Sequence, residues 1–263
     1  MQGRGQSSAA ASSVKAWMQG RGRIAVLWWI LAALGAFFVK GLCGFANTLV
    51  FTTVLSFGSS HISITPVELM LGYPSNLILA WRNRRAIKWR VCLPLAALVI
   101  AGSIPGALFL KTADTGMIKV IFGAVIVLLG LEMLLRELKP GKIRQSKVLL
   151  GVIGLLSGLL CGLYGVGALL GAYISRVTED SSAFRANICT VFFAENTFRI
   201  ILYSVSGIIT AELVKQAVLL VPFMLAGLAL GMLSGKFLNE RVAKRLVVLM
   251  LIVSGVALIA QNL

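Results

Sequence analysis

Glu68, Glu195 and Arg199 lie inside long apolar runs, as do Asn76 and Asn196, which are 120 positions apart. Ionisable groups in such places are expensive and mark ion or substrate paths. Glu68 and Glu195 are the carboxylates set deepest in apolar segments, which makes them the candidates for proton coupling. For Glu68 the alternative is a role in a first helical turn beside Pro66. Glu195 and Arg199 stand four apart on one helix face and can neutralise each other, which is also a purely structural role. Tyr73-Pro74-Ser75 precedes Asn76, and Pro74 leaves a backbone carbonyl without its helical partner. Lys40 either touches a substrate or snorkels its amine to an interface. Arg185 is placed at the inner start of a helix, where an anion would enter or leave. Glu132 and Arg136 read as an inner-surface pair.

Other chemistries are excluded by what the sequence lacks. His61 is the single histidine, so neither a metal-ligand set nor a Ser-His-Asp triad can be built. Cys43, Cys92, Cys161 and Cys189 form no CxxC pair, so no zinc or redox motif is expected. No phosphate-binding Gly-x4-Gly-Lys-Ser/Thr loop is present. The expectation is a non-enzyme without metal or cofactor.

Two glycine-rich stretches, Gly41-Leu42-Cys43-Gly44 and Gly162-Leu163-Tyr164-Gly165-Val166-Gly167, read as turns between short helices. Helices starting after such turns would present unpaired N–H groups and a positive dipole end. Two starts facing each other would make an anion site without a charged side chain. The donors expected there are Gly44, Phe45, Ala46, Asn47 and Thr48 with Gly165, Val166, Gly167 and Ala168, joined by Asn76, Asn196 and Arg199. The alternative is that the glycines only let helices approach closely. That packing role is the expected one for Gly102 with Gly106 and for Gly227 with Gly231.

These groups need a scaffold, and the composition names its solvent. Of 263 residues, 58% are hydrophobic and 13% charged, and the mean hydropathy is +0.92. Soluble domains hold about 45–50% apolar and about 25% charged residues. An all-α, multi-spanning membrane protein is the class that remains. The formal net charge of +16 falls mostly in short loops between apolar runs, so it reads as topology and not as a nucleic-acid surface. Apolar segments are expected at 24–40, 43–58, 62–81, 91–110 and 117–135, then at 148–161, 164–176, 184–205, 214–235 and 242–260. The first two of each set are short, which points to broken or re-entrant hairpins at a transport site. Arg21 and Arg23 before an apolar run have the form of a signal peptide, but the same element recurs at 148–161, so it is read as part of a repeat.

The chain thus divides into a polar basic tail 1–23, a first membrane repeat 24–135, a basic loop 136–147 and a second repeat 148–263. Gly102, Gly106, Leu108, Lys119 and Gly130 match Gly227, Gly231, Leu233, Lys244 and Gly255 at a constant offset of 125. With the termini outside, the inner loops 82–90, 136–147, 176–185 and 236–245 hold 5, 5, 2 and 4 Lys/Arg, as the positive-inside rule requires. The four basic residues of the tail oppose this orientation. A hairpin plus three spans per half is an odd number of crossings, which makes the repeats inverted.

The glycine hairpins, the loop Arg82-Asn83-Arg84-Arg85-Ala86-Ile87-Lys88-Trp89-Arg90, and the segments Ala101-Gly102-x3-Gly106 and Ala226-Gly227-x3-Gly231 together resemble the sulfite exporter TauE/SafE family, over about 24–261. Members often carry a Gly-x-Gly-Gly-Gly run followed by proline; here the matching stretches read Gly44-Phe45-Ala46-Asn47 and Gly165-Val166-Gly167-Ala168. The resemblance implies export of sulfite or an organosulfonate across the bacterial cytoplasmic membrane. The expected partners are this small anion and the lipid bilayer, without nucleic acid; a homodimer is compatible with the class. An anion channel on the same scaffold is the alternative.

Overall fold

The computed structural model describes residues 22–56, 61–112, 147–164, 167–178 and 180–235, with scattered helical positions between 124 and 134 and between 245 and 260. The tail 1–21, the loop 136–146 and the residues Gly165 and Val166 lie outside the described residues. So do Glu132 and Arg136, and most of the expected segments 117–135 and 242–260.

All described elements are helical. They are α1 (Gly22–Cys43), α2 (Asn47–Ser56), α3 (His61–Arg82), a 3-10 turn (Arg84–Ala86), α4 (Trp89–Thr112), α5 (Lys147–Tyr164), α6 (Ala168–Val177), α7 (Ser181–Val205) and α8 (Ala211–Ser234). In α1, α4, α7 and α8, among the described residues, length and apolar content suffice to cross a membrane. At about 1.5 Å per residue the 22 residues of α1 reach about 33 Å. The 22-residue α3 is long enough too, but Glu68, Ser75 and Asn76 and two prolines make it less apolar.

The hairpins differ from the expected form in their first arms. Sequence spacing puts these arms at 24–40 and 148–161, ending before the glycines. In the structure α1 continues through Gly41 to Cys43, and α5 continues through Gly162 to Tyr164. Both glycines are inside helices and serve close packing. A Cβ on Gly41 would stand 2.9 Å from Gly231 Cα, and one on Gly106 would stand 3.1 Å from Gly162 Cα. The turn proper is Gly44-Phe45-Ala46, where Gly44 has φ +87° and Ala46 φ +71°. Gly44 N–H closes the end of α1 on Lys40 O at 2.6 Å, a left-handed C-cap. The second arms, α2 and α6, have 10 residues each, about half the bilayer core.

The helices pack in crossed pairs: α1 lies on α8, α5 lies on α4, and α3 lies on α7. Gly102 and Gly106 on α4 face Gly158 and Gly162 on α5, while Gly227 and Gly231 on α8 face Leu34 and Gly41 on α1. Small residues let these backbones touch, which replaces the hydrophobic drive that lipid cannot supply. Between the pairs, Phe37, Phe51, Leu55, Ile64 and Leu71 form a fully buried core. The outer faces of α1, α4, α7 and α8 expose Leu31, Leu93, Ile201 and Leu230.

Asn187 makes most of the bonds that hold the basic loop after α3. Asn187 of α7 accepts from Lys88 N–H at 2.8 Å and donates to Ala86 O, in the 3-10 turn, at 3.2 Å. Asn187 also donates to Ala183 O at 2.6 Å and accepts from Cys92 Sγ at 3.0 Å. Asn83 in turn accepts from Ser182 Oγ at 2.8 Å. Trp81 and Trp89 flank the loop and are exposed, the placement of interfacial aromatic anchors. Arg84 lies over the Trp81 ring, 5.0 Å from its centroid.

Candidate anion site

Glu68 and Asn76 are eight apart on α3, with Gly72 midway, so all three share one helix face. On α7, Phe192, Asn196 and Arg199 share a face in the same way. Because α3 lies on α7, the two faces meet. The start of α2 and the end of α1 close the space between them. The result is a cavity of about 20 Å³ lined by Lys40, Phe45, Ala46, Asn47, Thr48, Leu49, Glu68, Asn76, Gly167, Phe192, Asn196 and Arg199. One ordered water needs roughly 10–15 Å³, so the space is narrow.

The carboxylate of Glu68 is the centre of the hydrogen bonding. Its Oε1 accepts from Asn47 Nδ2 and, at 2.9 Å, from Thr48 Oγ1. Asn47 and Thr48 are the first two residues of α2, where the helix dipole favours negative charge. The expectation that both side chains are free donors is narrowed: Thr48 Oγ1 and one N–H of Asn47 Nδ2 go to Glu68, while the second N–H of Asn47 Nδ2 is not used in that bond. The alternative role for Glu68 in the first turn beside Pro66 is also replaced, because its partners are on α2 and not on its own helix.

Arg199 is 3% exposed and Glu195 1%. Arg199 Nε stands 3.4 Å from Glu195 Oε1, an ion pair by distance but without hydrogen-bond alignment. The guanidinium also donates to Cys161 O at 2.6 Å and to Asn196 Oδ1 at 3.3 Å. Cys161 is in the last turn of α5, whose carbonyls have no helical partner, so Arg199 caps that helix. Arg185 does the same for α1, donating to Leu42 O at 2.5 Å. It stands against the turn: a Cβ on Gly44 would lie 2.7 Å from Arg185 Cγ, and Phe45 packs edge-on against Phe184 at 5.6 Å. Lys40, 1% exposed, lies in the last turn of α1, 5.8 Å from the Phe37 ring centroid.

Of the residues expected at the site, Phe45, Ala46, Asn47, Thr48, Glu68, Asn76, Gly167, Asn196 and Arg199 line the cavity. Gly44 forms the turn beside it, Ala168 begins α6, and Glu195 stands behind Arg199. Asn76 Oδ1 is buried without a hydrogen-bond partner. Sequence reasoning missed Phe192, Leu49 and Gly72. A Cβ on Gly72 would stand 3.4 Å from Glu68 Oε1, 3.5 Å from Asn196 Nδ2 and 3.6 Å from Asn47 Nδ2. The regular spacing of Glu68, Gly72 and Asn76 is the signal that could have found it.

A model of the sulfite exporter TauE/SafE family matches residues 29–258. No curated protein and no solved structure matches the chain.

Proposed function

The chain belongs to the sulfite exporter TauE/SafE family, and we propose that it exports a small sulfur oxyanion, sulfite or an organosulfonate, across the bacterial cytoplasmic membrane. It is a multi-pass membrane protein of the exporter type. The observation that carries the substrate reading is the pair of buried cations, Lys40 and Arg199, on one narrow cavity with Asn76 and Asn196. Cationic side chains and amide N–H groups are the donors that hold a small oxyanion.

Two inverted halves explain the packing. α1 and α5, α2 and α6, α3 and α7, and α4 and α8 correspond in order. The crossed pairs support a two-fold relation: α1 on α8 matches α5 on α4, and α3 meets its own counterpart α7. In this reading loop 82–90 faces the cytoplasm and both termini face outward. Export of an anion is then favoured by the membrane potential, at about 2.3 kcal/mol per charge per 100 mV. The test is efflux from proteoliposomes loaded with sulfite, methanesulfonate or chloride. Equal rates for all three, or none above protein-free vesicles, would refute the reading.

A further inference from the structure

Among the described residues, the buried charges at and beside the cavity balance: Lys40 and Arg199 against Glu68 and Glu195. Glu195 is committed to Arg199. Glu68 instead occupies the donors at the start of α2 and lines the cavity itself. An arriving anion would add a third negative charge to a balanced, desolvated cluster, which is strongly unfavourable. We propose that Glu68 is the site's own anion, competing with the substrate for the same field, and that substrate binds as Glu68 takes up one proton. The inference rests on the anion-site reading above. No substrate bond is made or broken: one proton from water neutralises the carboxylate, and the substrate's charge replaces it opposite Lys40 and Arg199.

The groups around Glu68 fit this exchange. Lys40 faces it from α1, Asn47 and Thr48 from α2, and Arg199 from α7. Glu195 and Tyr203 of α7 and Cys161 of α5 are also within electrostatic reach. On α8 the described titratable residues, Glu212 and Lys215, are exposed. Asn76 Oδ1, buried and unpartnered on the same cavity, is an acceptor that calls for a donor, such as a water or a protonated carboxyl, and not for the anion itself. The position 120 residues after Glu68 is Ile188, which is buried, so at the offset that relates Asn76 to Asn196 the carboxylate is not repeated.

The test is calorimetric binding of methanesulfonate, whose charge is constant with pH, to wild-type protein and Glu68→Gln in nanodiscs. Two buffers of different ionisation heat give the number of protons taken up. Wild type should take up about one proton per anion, and its affinity should fall toward tenfold per pH unit as pH rises. Glu68→Gln keeps an acceptor oxygen for Asn47 and Thr48; it should take up none, bind independently of pH, and bind more tightly than wild type near neutral pH. Binding to wild type without proton uptake overturns the inference and leaves the anion site standing. Weaker binding by a folded Glu68→Gln also overturns it. If neither methanesulfonate nor sulfite binds either protein, the anion-site reading fails and the inference falls with it. Should Glu68→Gln not fold, the wild-type proton count decides alone.

Discussion

Gly72→Ala separates the site from the scaffold. The added Cβ would make contacts of 3.4–3.6 Å with Glu68, Asn196 and Asn47, close to ordinary van der Waals distance, so the helix need not move. Glycine inside a helix is destabilising by about 0.8–1.0 kcal/mol relative to alanine. The variant should therefore unfold no more easily than wild type, and up to about 1 kcal/mol less easily. Function should respond in the other direction. A methyl group set against three polar side chains that line the cavity cannot hydrogen-bond and restricts how they turn toward a ligand. If it denies the anion one charge-assisted hydrogen bond, the loss is about 1.5–3 kcal/mol, roughly a 10- to 150-fold weaker affinity. Gly151→Ala is the control, since nothing lies within 4 Å of its added Cβ. Sulfite efflux at several concentrations, with SDS unfolding of the same preparations, gives both numbers. Wild-type affinity in Gly72→Ala would show that substrate does not use the space between α3 and α7.

Three further outcomes are expected. Gly44→Ala should lose about 1–2 kcal/mol of stability from its left-handed backbone alone, more from the clash with Arg185, measured by SDS unfolding against Gly151→Ala. Arg199→Met leaves Glu195 buried and unpaired and should cost about 3–5 kcal/mol; adding Glu195→Gln should restore part of that stability but no transport. Asn187→Ala removes the clamp on the basic loop, so a cysteine placed at Ile87 should react faster with a soluble maleimide; an unchanged rate would refute the clamp.

Helix identity and the hairpin pattern are legible in the sequence because apolar runs in lipid admit little else. The pairing of Asn76 with Asn196 is legible as a spacing. The ends of α1 and α5 are not, because glycine reads as a breaker, whereas Gly41 and Gly162 are held helical by the neighbouring backbones they touch. The partners of Glu68 are hidden as well: Asn47 and Thr48 are 21 and 20 residues away, and only the fold of the hairpin against α3 brings them there. Phe192 escapes sequence reasoning because an aromatic in an apolar run carries no polar signal.

The crossed pairing of α1 with α8 has a consequence for biogenesis. Gly41 waits for Gly231, so the glycine face of the first helix has no partner until most of the chain has been made. During synthesis that face must rest against lipid or an insertion factor, and a chain stopped after α7 would leave it there. Assembly is thus postponed to a late step, when α8 arrives and locks α1, the turn at Gly44 and the start of α2 into place together.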